Sequence, residues 1–237
     1  MPYTLSHAVV AIPLKLLTRG RIPIAAMIVG SLSPDFPYLL ALTPTSAPGH
    51  SLIGVLIYCL VPSLFVLLVW YRLLETSMLE FLGLPKRKWS FDMSSYFSLV
   101  FGVLLGAYSH VLWDATSHSY GMFVIGSDFW HQQLFSLPLY KWNQYASGVL
   151  SLVALLGWYL VAVIKNRKEH YKGRLLAGIL CFSLSVIFFV LLANIIHGST
   201  VASEYVVRSA IGVMVGIVCG ACLYAIWVRI SNPFAKK

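Results

Sequence analysis

Charge is what this sequence has little of. Of its 237 residues only 11% are Asp, Glu, Lys or Arg, and only eight are acidic. Soluble domains carry about 25% charged residues, so a globule of this size could not cover its surface with so few. That excludes an ordinary water-soluble enzyme, a disordered chain and a coiled coil. Thiols are few as well: Cys59, Cys181, Cys219 and Cys222 all lie in apolar runs. Cys219 and Cys222 form a C-x-x-C inside one such run, where neither four zinc ligands nor a redox partner can reach them, so they read as small buried residues. There is no internal repeat, no low-complexity tract and no segment patterned as a removable signal peptide. Hydrophobic residues, by contrast, make up 59% of the chain. The mean hydropathy of +0.80 points to an integral membrane protein.

A helix needs about 20 apolar residues to cross a bilayer. Five segments qualify: Leu52 to Leu74, Tyr96 to Trp113 with a polar turn continuing to His118, Ser147–Ile164, Leu175–Ile196 and Val207–Ile230. Two shorter runs, Thr4–Leu17 and Ile22–Leu32, are separated by Arg19-Gly20-Arg21, which reads as the tight turn of a helical hairpin. Ser33-Pro34-Asp35-Phe36-Pro37 is expected to end the hairpin, because two prolines cannot continue a helix. The expected fold is all-α: one integral membrane domain over residues 1–237, with five long transmembrane helices and a short N-terminal hairpin. Residues 1–50 carry His7, Asp35 and His50, residues 51–118 the first two long helices, and residues 147–230 the other three.

The net charge of +9 would suggest nucleic acid in a soluble protein; here it reads as an orientation signal. With alternating segments and His7 outside, one side collects Lys15, Arg19, Arg21, Arg72, Lys86, Arg87, Lys88, Lys165, Arg167, Lys168, Lys172, Arg174, Arg229, Lys236 and Lys237. That is fifteen of the 17 basic residues, and only Lys141 and Arg208 fall opposite. Basic loops stay cytoplasmic, so the chain is expected to be a multi-pass protein of a bacterial inner membrane with His7 on the outer side. The bilayer is the expected partner, and nucleic acid is not.

With eight acids available, each is informative, since charge near a membrane segment is costly. His110, Asp114 and His118 recur at i, i+4 and i+8, each step advancing about 40° on a helix, so they share a face. Donors at i and i+4 can chelate one ion. His110 and His118 lie about 12 Å apart, so one ion cannot take all three, and His118 is left to a second ion, to substrate or to neither. Ser98, Gly102 and Gly106 extend the stripe with small residues that let another helix approach. The topology brings His7, Asp35 and His50 to the same outer level as His110 and Asp114. Imidazole and carboxylate without thiolate suit Zn²⁺, Mn²⁺ or Fe²⁺. His131, His170 and His197 read as hydrogen-bonded or solvated interfacial side chains. Trp113, Trp130, Trp142, Tyr38 and Tyr140 read as an aromatic belt.

The stretches Met1-Pro2-Tyr3-Thr4-Leu5-Ser6-His7-Ala8, Gly30-Ser31-Leu32-Ser33-Pro34-Asp35-Phe36-Pro37-Tyr38, Gly49-His50-Ser51 and Ser109-His110-Val111-Leu112-Trp113-Asp114 resemble an uncharacterised family of bacterial membrane proteins. That family is similar to the predicted inner-membrane metal-dependent hydrolases, and the likeness runs over most of the chain, through Pro138-Leu139-Tyr140-Lys141 and Gln144. More remotely, the order His, Asp, His, His-x-x-x-Asp over the first half resembles the zinc-dependent phospholipase C enzymes and related single-strand nucleases. The resemblance implies that Asp35, His50, His110 and Asp114 hold one zinc ion and that Asp114 bridges to a second held by His7. The chain departs from the remote pattern in beginning Met-Pro ahead of His7, where the secreted enzymes use a free terminal amine, and in lacking a later His-x-x-x-Glu.

The expected activity is metal-assisted hydrolysis of a phosphoester in a lipid or envelope precursor, with Asp35 or Asp114 orienting a metal-activated water. Three other readings of the same residues stay open: a metal-binding or metal-transporting protein without catalysis, a haem protein using His50 and His110 as axial ligands, and an outer polar cluster that only packs.

Overall fold

A computed structural model describes residues 4–46, 48–85, 93–165 and 172–231. The fold is an all-α bundle in which, among the described residues, six helices are long and apolar enough to cross a membrane. They are α2 (Ile24–Ala41), α3 (Leu52–Phe81), α4 (Met93–Ser117), α5 (Leu139–Lys165), α6 (Lys172–Ile196) and α7 (Ala202–Ser231), preceded by the shorter α1 (Thr4–Leu17). A two-stranded ribbon, β1 (Gln133–Leu134) and β2 (Leu137–Pro138), interrupts the α4–α5 connection.

The expected hairpin turn forms where Arg19 and Gly20 adopt left-handed φ of 49° and 66°. Gly20 N donates to Lys15 O at 2.8 Å and Arg19 N to Leu16 O at 3.0 Å, the paired bonds that satisfy the last carbonyls of a helix. The second arm differs from expectation. Ser33–Pro37 does not end it; the chain tightens into a 3-10 turn over Ser33–Asp35 and continues as α-helix over Phe36–Ala41. Pro34 lacks an N–H at the point where the bonding pattern changes, and Pro37 falls in the first turn of the renewed helix, where no N–H donor is required. The arm therefore gains enough length to span, and the bundle has a sixth long helix.

α3 also runs past the expected Leu74, to Phe81. It starts on Ser51, whose Oγ accepts from Gly54 N at 3.0 Å, and widens into a π-helical turn over Val55–Cys59 ahead of Pro62. A proline in mid-helix removes a bond and crowds the preceding turn, and such a bulge accommodates it. α5 begins at Leu139, eight residues before the expected Ser147.

The described chain falls into two compact units. The first comprises Met1–Asp35, Ala47–Leu67 and Ser90–Tyr159; the second comprises Phe36–Ser46, Leu68–Trp89 and Leu160–Lys237. In the first, α2 and α4 touch backbone to backbone. A Cβ on Gly30 would lie 2.2 Å from Val103 O, and one on Gly106 would lie 2.2 Å from Met27 O. The expected stripe of small residues is thus the α2–α4 seam from Gly102 onward, while the half-buried Ser98 bonds Ser94 O within its own helix. In the second unit, α6 and α7 pair. Arg208 of α7 reaches Ser199 Oγ at 2.8 Å and Glu204 Oε2 at 3.4 Å, and Glu80 pairs with Arg174 at 3.0 Å. Cys219 and Cys222 are free thiols in α7.

Gly106→Ala should lower stability by about 1–3 kcal/mol, because a backbone carbonyl must move to admit the methyl group. Gly157→Ala in α5, where a Cβ meets nothing within 4 Å, should be neutral or slightly stabilising. Unfolding titrations of both variants in mixed micelles measure the contrast.

Candidate metal centre

The first unit gathers His7, Asp35, His50, His110, Asp114 and His118 around one point. His7 comes from the 3-10 turn Thr4–Val10 that opens α1, and Asp35 from the 3-10 turn inside α2. His50 comes from the turn before α3, and His110 and Asp114 from successive turns of α4. Asp35, His110 and Asp114 are 3%, 0% and 7% exposed, too little for water to neutralise their charge.

Four donor atoms converge. His50 Nε2 is 3.3 Å from Asp35 Oδ1 and 3.3 Å from Asp114 Oδ2. His110 Nε2 is 3.3 Å from His50 Nε2, 3.4 Å from Asp114 Oδ2 and 3.8 Å from Asp35 Oδ1. Donors about 2.0–2.1 Å from a common tetrahedral zinc ion stand about 3.3–3.4 Å apart, so most of these separations match that edge. A second set forms around the other carboxylate oxygen: His7 Nε2 is 3.5 Å from Asp114 Oδ1, and the His7 ring stacks on His110 with centroids 3.8 Å apart. His7 with His110 and Asp114, and Asp35 with His50 and His110, are the groups whose ligand atoms lie close enough to hold an ion.

The surroundings prepare these donors. His110 Nδ1–H donates to Ser31 O at 2.6 Å, which leaves the Nε2 lone pair facing the cluster; a backbone carbonyl commonly fixes a ligating imidazole in this way. Thr4 Oγ1 donates to Asp35 Oδ2 at 2.6 Å, leaving Oδ1 to the cluster. Asp35 Oδ1, Asp114 Oδ1 and His7 Nδ1 are buried and make no hydrogen bond of ordinary geometry. Buried acceptors of negative charge without donors are costly, and a cation is the partner that this donor set fits.

The imidazoles outside the spanning helices differ in their protons. Burial works against a charge on His50, but its contacts with Asp114 and Asp35 prevail and push it up to about 9. Burial and the neighbouring His110 hold His7 down at about 3, against the pull of Asp114. His118 is also lowered by burial, despite Asp114. His7 is thus ready to donate a lone pair, whereas His50 carries a proton that a cation would replace.

His118 lies outside both donor groups. Its Nδ1 is 3.3 Å from Asp114 Oδ1, and its Nε2 is 2.8 Å from Gln144 Nε2 of α5. An amide nitrogen can only donate, so Nε2 accepts and the ring proton is on Nδ1, where Ser117 Oγ lies 3.1 Å away to accept it. Sequence reasoning missed the supporting role of Thr4, Ser31 and Gln144. Thr4 stands one turn before His7, but Gln144 sits in a stretch expected to precede the helix.

Three further histidines stand elsewhere in the sequence. His131 is exposed and bonds Ser127 O at 2.9 Å, His197 bonds Ala41 O at 2.8 Å, and His170 lies outside the described residues. Trp113 does more than border the bilayer: its ring edge packs on His7 at 5.3 Å and its indole N–H donates to Ser147 Oγ at 3.1 Å. Tyr38 is buried, which removes it from the expected aromatic belt. The His50 and His110 nitrogens are too close, and too crowded by Asp35 and Asp114, to bracket a haem macrocycle, so that reading falls.

The chain belongs to the family described as Domain of unknown function (DUF4184), whose family model matches residues 1–228. No curated protein and no solved structure matches the chain.

Thr4→Val keeps the shape of Thr4 and removes the hydroxyl donor from Asp35. The loss of a buried hydrogen bond to a carboxylate should cost about 1.5–3 kcal/mol, read as a shift in the unfolding midpoint of metal-free protein in mixed micelles.

Proposed function

We propose that this member of the DUF4184 family is a membrane-bound, metal-dependent hydrolase of phosphoesters, working at the extracytoplasmic face of a bacterial inner membrane. The observation that carries the reading is the convergence of Asp35, His50, His110 and Asp114, with Asp35 Oδ1 and Asp114 Oδ1 buried and making no hydrogen bond of ordinary geometry. Asp35, His50, His110 and Asp114 would hold one ion, and His7 with Asp114 Oδ1 a second. The all-nitrogen-and-oxygen donor set favours Zn²⁺, with Mn²⁺ and Fe²⁺ as alternatives. Bound there, the metal supplies Lewis-acid polarisation of a phosphoryl oxygen and of water.

The chain's own groups supply the rest. Asp114 would orient the attacking water, whose oxygen bonds to phosphorus as the bond to the leaving oxygen breaks, and the proton the water loses ends on that leaving oxygen. His118, backed by Gln144, faces Asp114 Oδ1 and fixes the carboxylate plane. Asp35 is held by Thr4 and orients the attack. The outward orientation is supported by the distribution of Lys and Arg, fifteen of 17 on the opposite side.

A specific observation favours one other reading. The centre is closely enclosed, with His110 fully buried and His7 6% exposed, as suits a metal held without turnover.

Elemental analysis of detergent-purified protein from metal-replete cells tests both. Wild type should hold one to two equivalents of transition metal, and His110→Ala and Asp114→Ala should hold little. Metal-free wild type would end both readings; metal without hydrolysis across a panel of phosphomonoesters, phosphodiesters and phospholipids would leave the second. His118→Ala should keep the metal stoichiometry and lower affinity about 10–100-fold, as loss of a supporting contact does; chelator competition separates that outcome from loss of a ligand.

A further inference from the structure

The α4–α5 connection turns its apolar side chains outward. Tyr120, Met122, Phe123, Ile125, Phe129 and Phe135 are all exposed, Phe135 at 84%. Between His118 and Lys141 the only Asp, Glu, Lys or Arg is Asp128. A soluble protein seldom leaves such a cluster open.

The segment is built rather than loose. Val124 is fully buried as its anchor, and Phe123 N donates to Ala115 O at 3.1 Å. Gly121 lies so close over the end of α4 that a Cβ there would stand 2.4 Å from Ala115 O and 2.8 Å from Asp114 O. The connection therefore folds directly onto the helical turn that carries Asp114. Beyond it, β1 and β2 are joined by Phe135 and Ser136, with left-handed φ of 49° and 63°. Two-residue turns of this kind favour Asn-Gly, and a bulky residue there is strained. Trp142 secures the tip: its indole N–H donates to Leu134 O at 2.7 Å and its ring meets Phe135 edge-on at 6.4 Å.

In water this tip would be penalised twice, by strain and by apolar exposure. At the boundary between headgroups and acyl chains the second cost becomes a gain. Connectivity puts it there: α4 ends and α5 begins at this point, and both are spanning helices. The exposed apolar surface continues onto them through Leu112 on one side and Tyr145 and Val149 on the other. The Tyr120 ring, 5.2 Å from that of His118, joins the segment to the metal centre.

We propose that residues 120–135 are a platform immersed in the outer lipid leaflet, and that the centre beside it takes its phosphoester from a bilayer lipid whose acyl chains stay in the membrane. The immersion stands on the exposed side chains alone; the substrate class rests on the hydrolase reading above.

The immersion is tested with nitroxide labels on F135C and M122C, each in a full-length protein whose native cysteines are changed to alanine, reconstituted in phosphatidylethanolamine–phosphatidylglycerol nanodiscs. Both labels should be more accessible to oxygen than to an aqueous nickel chelate, at depths below the phosphates as calibrated with spin-labelled lipids. Nickel-dominated access at both sites would overturn the proposal. Protection from both reagents would also overturn it, in favour of a protein seated on the tip. The substrate class is tested with F135D and I125D, which change exposed side chains and should leave metal content unchanged. Their rate on long-chain phosphatidylglycerol should fall about tenfold relative to their rate on a short-chain, water-soluble analogue; an unchanged ratio would overturn the lipid assignment. Wild type inactive on both lipids, with labels still at depth, would sink the hydrolase reading and leave the platform standing.

Discussion

Two carboxylates are held at the end of an apolar helix bundle, and most of the chemistry around them follows from the need to compensate their charge. Asp35 and Asp114 are almost fully buried, and the penalty for desolvating such an ion is several kcal/mol even after relaxation. A hydrogen bond to a charged group returns about 1.5–3 kcal/mol. Asp35 receives one strong neutral donor, Thr4, at 2.6 Å; the other groups near the two carboxylates are imidazoles at 3.3–3.8 Å. These contacts do not match the cost of two buried charges unless the imidazoles are protonated or a cation stands among them. The first option is met by His50, which is pushed up to about 9, but not by His7, which is held down near 3. The second leaves every imidazole in the form that ligates. The magnitudes therefore favour a cation over a purely internal network.

The α2–α4 seam makes that arrangement possible. Gly30 and Gly106 bring the two backbones into contact, and Ser31, the next residue on α2, then presents its carbonyl to His110, one turn beyond Gly106. Two residues later the chain tightens into the 3-10 turn that carries Asp35. The prolines are part of this, since Pro34 is placed where the helix must change its bonding pattern and so redirect the carboxylate. Backbone contact and ligand placement are consequences of one crossing.

Much of this was legible from residue types and spacing. The scarcity of acids singled out Asp35 and Asp114, and the i, i+4 relation joined His110 to Asp114. The assignment of sides from Lys and Arg brought His7 and His50 to the same level. The illegible part was of two kinds. Ser33–Pro37 reads as a helix stop because proline rules are local, whereas a 3-10 turn can carry both prolines without losing a needed bond. Gln144 and Thr4 were not legible as partners because uncharged polar residues are common at helix ends, and only the fold reveals which of them meets an imidazole or a carboxylate. His118 shares the stripe with His110 and Asp114, yet periodicity could not distinguish a ligand from a residue that braces one.

The position of the centre along the helices bears on what it can do. A carrier moving an ion across the bilayer needs donors near mid-depth, where both sides can be reached in turn. Here Asp114 is in the last turn of α4, His50 precedes α3 and His7 lies in the opening turn of α1, so these three donors sit at helix ends, while Asp35 lies within α2. Deeper on the same seam Gly102 meets Ile22, Ala26 and Met27, side chains that offer an ion neither imidazole nor carboxylate. A site at the ends of spanning helices, beside an apolar connection rigid enough to hold a phenylalanine in a left-handed turn, is matched instead to a reactant that stays at the membrane surface. On the proposed hydrolase reading the same enclosure would have a kinetic meaning, since a substrate would then reach the carboxylates from the lipid side.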